Sequence, residues 1–80
     1  MNFIIKIASV PDRERLVAEI WWGRDMVAEL HYTLDNQTII DIYPPEIQKY
    51  WIFEFEAWNK IIIDAKKIGW ILFVINILVQ

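Results

Sequence analysis

Two nearly identical five-residue runs, Leu16-Val17-Ala18-Glu19-Ile20 and Met26-Val27-Ala28-Glu29-Leu30, lie on either side of Gly23-Arg24-Asp25. They belong to longer strand-like stretches, 16–22 and 26–34. Two such stretches around a three-residue, glycine-containing loop specify a β-hairpin. The echo is too short to be one unit of a stacked repeat; it reflects two strands patterned alike. Further strands extend the hairpin on both sides. Phe3, Ile5 and Ile7 alternate with Ile4, Lys6 and Ala8 as a first strand, and Val10 to Arg15 supplies a turn opened by Pro11. Asp35-Asn36-Gln37 is the next turn, and Thr38 to Tyr43 is a fourth strand closed by Pro44-Pro45.

The apolar period then changes. Phe55, Trp58, Ile61, Ile62, Ala65 and Ile68 recur every three to four residues, which places an amphipathic helix over about Glu54 to Ile68. Lys66 and Lys67 suit its C-terminal dipole, and Gly69 is the expected stop. The fold class expected is α+β: a four-stranded antiparallel sheet packed on one helix, with a C-terminal strand over 70–79. That tail is apolar on every face and rich in β-branched residues, which favours a strand covered on both sides. A surface helix and a continued helix in a shared interface are the alternatives. The run is too short for a membrane span, which needs roughly 18 or more apolar residues. One domain is expected over 1–80, with 69–80 as an oligomerisation or partner-binding tail.

Strand registers follow from the turns. A 23–25 loop sets Trp22 opposite Met26, Ile20 opposite Ala28 and Glu19 opposite Glu29. A 35–37 loop sets Leu30 opposite Ile42 and His31 opposite Asp41. A turn at 10–15 sets Ile7 opposite Ala18 and Lys6 opposite Glu19. The three agree, because a one-residue slip would turn every side chain to the wrong face. One face then carries Phe3, Ile5, Ile7, Leu16, Ala18, Ile20, Trp22, Met26, Ala28, Leu30, Tyr32, Leu34, Ile40 and Ile42, and should receive the helix. The other carries Lys6, Val17, Glu19, Trp21, Val27, Glu29, His31, Ile39, Asp41 and Tyr43.

That second face holds the candidate chemistry. Glu19, Glu29, His31 and Asp41 together are a metal or acid–base set on paper. A flat, open sheet offers neither the pocket nor the exclusion of water that such chemistry wants, so an ordinary cross-strand pairing is the expectation. His31 is the sole histidine, there is no cysteine, and no phosphate loop, dinucleotide fingerprint or calcium-loop spacing occurs. No cofactor or metal is therefore expected.

Charge and composition point toward a partner. Residues 25–59 hold seven acids against one base, Lys49, a formal −6, which argues against nucleic acid and suits a basic protein. The hydrophobic share of 56% exceeds the roughly 45–50% usual for soluble domains. A chain of this size has little interior to hide the excess. An interface with a second copy or another protein is the reading that follows. The absence of cysteine and of a secretory pattern at Met1 to Lys6 fits a cytoplasmic location.

Ile7 to Arg13, then Leu16 to Trp21, Ile42-Tyr43-Pro44 and a terminal helix, resemble a family of small bacterial proteins with no assigned activity. In size, acidity and strand–helix order the chain is also similar to the small immunity proteins that neutralise bacterial toxins. The resemblance implies a neutralising or adaptor role and transfers no catalytic residue. The expected function is thus a non-catalytic protein-binding module using Trp21, Glu29 and Tyr43 on the sheet and Trp70, Phe73 and Ile75 in the tail. A structural homo-oligomer and a small enzyme built on the carboxylates and His31 are the alternatives.

Overall fold

A computed structural model describes residues 2–10 and 15–78. The expected turn over 11–14 lies outside them. Four strands, β1 (Phe3–Val10), β2 (Arg15–Trp22), β3 (Asp25–Tyr32) and β4 (Thr38–Ile42), form one antiparallel sheet in the order β1-β2-β3-β4. A single helix, α1 (Phe55–Leu78), follows. The expected sheet-and-helix architecture is the observed one.

The β1–β2 register pairs Ile7 with Ala18 and Lys6 with Glu19, as the turn at 10–15 requires. The other two registers differ in informative ways. Between β2 and β3, Glu19 pairs with Glu29 and Ile20 with Ala28, but Trp21 pairs with Met26 and Trp22 with Asp25. The expected Trp22–Met26 pair is therefore replaced. Gly23, at φ 62°, adopts the left-handed backbone that a tight two-residue turn demands. Val27 becomes the extra residue of a β-bulge. The bulge exchanges two side chains: Val27 joins the buried core, and Met26 moves to the opposite face beside Trp21.

Between β3 and β4, Leu30 pairs with Ile40 and Glu29 with Asp41, so His31 stands opposite Ile39 rather than Asp41. The loop is Leu34-Asp35-Asn36, one residue earlier than expected, because Asn36 takes the left-handed position at φ 66°. Thr33 closes it, its N–H donating to the Gln37 carbonyl at 2.9 Å and its Oγ1 accepting from the Gln37 N–H at 3.2 Å. The slip is two residues, so every β4 side chain keeps its face. Leu34, expected in the core, sits at the loop tip in solvent.

The helix starts at a capped end. Glu54 Oε2 accepts from the Ala57 N–H at 2.7 Å, satisfying one of the first-turn donors. It does not stop at Gly69 and no C-terminal strand forms; the helix runs on to Leu78. Gly69 serves packing rather than termination. A Cβ there would stand 2.7 Å from Leu30 Cδ2 and 3.4 Å from Tyr32 Cε2. Absence of a side chain lets the helix press against β3, which offsets the roughly 1 kcal/mol cost of an interior helical glycine. Tyr32 Oη donates to the Lys66 carbonyl at 3.3 Å. Farther along, Asn76 brackets the Leu16 backbone, accepting from its N–H at 3.5 Å and donating to its carbonyl at 3.4 Å.

The core lies between β2, β3 and this helix, around Ile20, Val27, Ala28, Leu30 and Ala65. Aromatic rings seal its end near the helix start: Trp51, Phe53 and Trp58 stack in sequence, and Phe3 meets Trp22, Phe53 and Trp58. Among the described residues no helix is long and apolar enough to cross a membrane.

Candidate functional site

The face of the sheet turned away from the helix is not the open, wetted surface its sequence suggests. Register alone sets a row across all four strands: Lys6 opposite Glu19, Glu19 opposite Glu29, Glu29 opposite Asp41. One base against three acids gives the row a formal charge of −2. Adjacent like charges on neighbouring strands repel. Burial aggravates this at the centre, where Glu29 is 4% exposed.

His31 follows Glu29 by two residues on β3, so both side chains project from the same face. It is 5% exposed. One donor atom from each of Glu29, His31 and Asp41 lies within 4.8 Å of the other two. Glu29 Oε1 and His31 Nδ1 are both closed off from solvent. Asp41, on β4, is half-buried and forms the accessible side of the group.

Long side chains meet one another and the carboxylate row on this face of the sheet. Tyr43 Oη donates to Glu29 Oε2 at 3.4 Å. Trp21 Nε1–H donates to Glu19 Oε1 at 3.1 Å. The Lys6 ammonium sits 4.1 Å from the centre of the Trp21 ring, a cation–π contact that holds the indole down. Tyr43 itself is fixed through its backbone, its N–H donating to the Val27 carbonyl and its carbonyl accepting from Trp51 Nε1 at 2.7 Å. A cleft of about 270 Å³ opens beside the group, walled by Trp21, Arg24, Asp25, Met26, Tyr43, Pro44 and Glu46. Tyr43 connects the two, with its ring in the cleft wall and its hydroxyl on Glu29.

The structure therefore brings together three of the four groups in the sequence-derived acid–base set and separates the fourth, since Glu19 is engaged by Trp21. The expectation of a non-catalytic binding module does not stand. It rested on the sheet face lacking shelter, and the Glu29, His31 and Asp41 cluster is sheltered and convergent. Trp21 and Tyr43, read from sequence as anchors for a partner, lie over this cluster's carboxylate row. In the tail, Phe73 packs on Tyr32 and Trp70 at 5.9 and 5.7 Å. Trp70 and Ile75 keep about half of their surface in solvent. Sequence reasoning missed Asn76, whose signal was its position as the sole polar residue in the apolar run 68–78.

Three protein ligands suit a metal centre of the catalytic kind, where a position remains for water or substrate. Two carboxylates with one imidazole form a mixed oxygen–nitrogen set, matched to Mn²⁺, Fe²⁺ or Zn²⁺ rather than to Ca²⁺ alone. Bonds of about 2.0–2.2 Å require donor atoms roughly 3–4 Å apart. The three donor atoms, within 4.8 Å of one another, would have to draw together by up to about 1–2 Å to reach that spacing. No family model, curated protein or solved structure matches the chain.

Proposed function

We propose that the protein is a small metal-dependent enzyme whose centre is Glu29, His31 and Asp41. The convergence of these three donor atoms within 4.8 Å carries the reading. Two of the three acids of the cross-strand row, Glu29 and Asp41, belong to this group, and paired carboxylates with an imidazole suit a divalent cation. His31 and the two carboxylates hold the ion, Tyr43 orients Glu29 from behind, and the side of Asp41 admits water and substrate. A bound ion would lower the pKa of its water and supply hydroxide near neutral pH. Hydrolysis of an ester or phosphoester lying in the Trp21–Tyr43 cleft is the reaction class that fits.

The test is calorimetric titration of the protein with Mn²⁺ and Zn²⁺, followed by assay of activated carboxylic and phosphate esters. One ion per chain is expected, lost in Asp41→Asn, with metal-dependent turnover that disappears in the same variant. Failure to take up either ion sinks the reading. Uptake with no turnover, on any ester class, removes its catalytic half.

A further inference from the structure

The outer face of α1 changes character along its length. At 3.6 residues per turn, Glu56, Lys60 and Lys67 fall on the side opposite Ala65, Gly69 and Leu72, which meet the sheet. That side carries charge as far as Lys67, with Ile63 exposed among the charged residues. No charged side chain follows in the helix. Over the last turns the same outer side presents Trp70, Ile71, Val74, Ile75, Ile77 and Leu78. All six are exposed, Ile71 by 56% and Leu78 by 77%. Residues 71, 74, 75 and 78 stand at i, i+3, i+4 and i+7, the spacing of a helix–helix seam.

We infer that this stripe binds a second copy of the chain, with the two C-terminal helix halves antiparallel about a twofold axis near Val74. Two features select that occupant. The stripe is uniformly apolar and has no charge for a different partner to complement, whereas packing against itself about a twofold needs only that uniformity. Its area is also sufficient. Six large side chains about half exposed come to on the order of 600 Å² per copy, which doubled reaches the ~1,200 Å² lower bound of stable interfaces. The charged half of the helix, from Glu56 to Lys67, then lies outside the contact and limits the assembly to two. In this proposal the tail meets its partner as a helix face rather than as the shared strand expected from sequence.

This inference is independent of the metal centre, which lies on the other side of the sheet. Light scattering of the wild type over a range of concentrations should give a mass near 19 kDa, twice the 9.6 kDa of the chain. Ile71→Lys and Ile75→Lys should give 9.6 kDa with an unchanged circular dichroism spectrum and unchanged metal uptake. The chain has no cysteine, so a single introduced thiol reports the geometry even where the lysine variants fold poorly. Val74→Cys should cross-link to a dimer under mild oxidation, at least tenfold more than Asn59→Cys on the charged half. A wild-type mass of 9.6 kDa at every concentration overturns the inference. So does equal cross-linking of the two thiols. Transfer of a monomeric wild type onto phosphatidylcholine vesicles overturns it in favour of a lipid surface.

Discussion

The two faces of this sheet are built from the same strands by opposite means. On the helix side, apolar side chains close on one another: Ile20, Ala28 and Leu30 meet Ala65, and the backbone at Gly69 approaches so closely that a methyl group would intrude. On the far side, polar groups are buried without a second layer: Glu29 and His31 are closed off there, with Tyr43 Oη on Glu29 and Trp21 Nε1 on Glu19. The first face gains stability from burial. The second carries three acids against one base across its strands, the charge that the proposed cation would balance. On the proposed reading stability and function are divided between the faces, and variants on one should leave the other's property intact.

The largest effect should come from the helix side. Ile20 is fully buried. Truncation in Ile20→Ala is expected to cost about 2–5 kcal/mol, through lost transfer energy and the cavity left behind. Metal affinity per folded molecule should not change, since Ile20 and the carboxylate row point to opposite faces. Denaturant melts with and without Mn²⁺ measure both quantities. If the truncation also removed metal uptake at full folding, the faces would be coupled and the division would fail.

The converse test acts on the charged row. In the wild type, Mn²⁺ at a hundredfold over its dissociation constant should add about 2.7 kcal/mol of stability by linkage. That is a rise of about 10–20 °C in melting temperature for a domain of this size. Glu29→Gln removes one of three neighbouring carboxylates. Without metal it should melt at or above the wild-type temperature, because the repulsion is eased. With metal the rise should vanish. A metal-dependent rise equal to that of the wild type would place the ion elsewhere.

How far the sequence foretold this contrast depends on which face is asked. The helix face was legible because side-chain parity survives a two-residue slip, so the error in the β4 register cost nothing there. The bulge at Val27 was not legible. It depends on whether Gly23 begins a two-residue or a three-residue turn, and Gly23-Arg24-Asp25 permits both. Extension of the helix past Gly69 was hidden for a similar reason, since a glycine after Lys66-Lys67 has the appearance of a C-terminal cap. On the far face Glu29, His31 and Asp41 were correctly gathered and Val27 was not, and the shelter of the cluster was not foreseen. Shelter depends on side-chain rotamers, such as the one that sets the Tyr43 hydroxyl on Glu29, and alternation of residue types along a strand carries no information about those. The functional expectation failed at that step: it set the carboxylates and His31 on a wetted sheet, whereas Glu29 and His31 are buried and converge with Asp41.

The smallest of these effects is the most discriminating test of how tightly the helix side is packed. Gly69→Ala contains two opposing terms. Alanine favours the helix by about 1 kcal/mol over glycine. Its methyl, however, would stand 2.7 Å from Leu30 Cδ2 with Tyr32 directly behind, and forcing a methyl into a filled core costs about 1–3 kcal/mol. Leu30 is itself buried and has little room to withdraw. A net loss of about 1 kcal/mol is therefore expected, with the Mn²⁺-dependent rise in melting temperature unchanged. The double variant Gly69→Ala, Leu30→Ala decides the cause, because truncating Leu30 removes the atom that the new methyl meets. In that background Gly69→Ala should become stabilising by up to about 1 kcal/mol, the helix propensity alone. A loss of the same size in both backgrounds would mean that Gly69 is needed for its backbone and not for the approach it allows to β3.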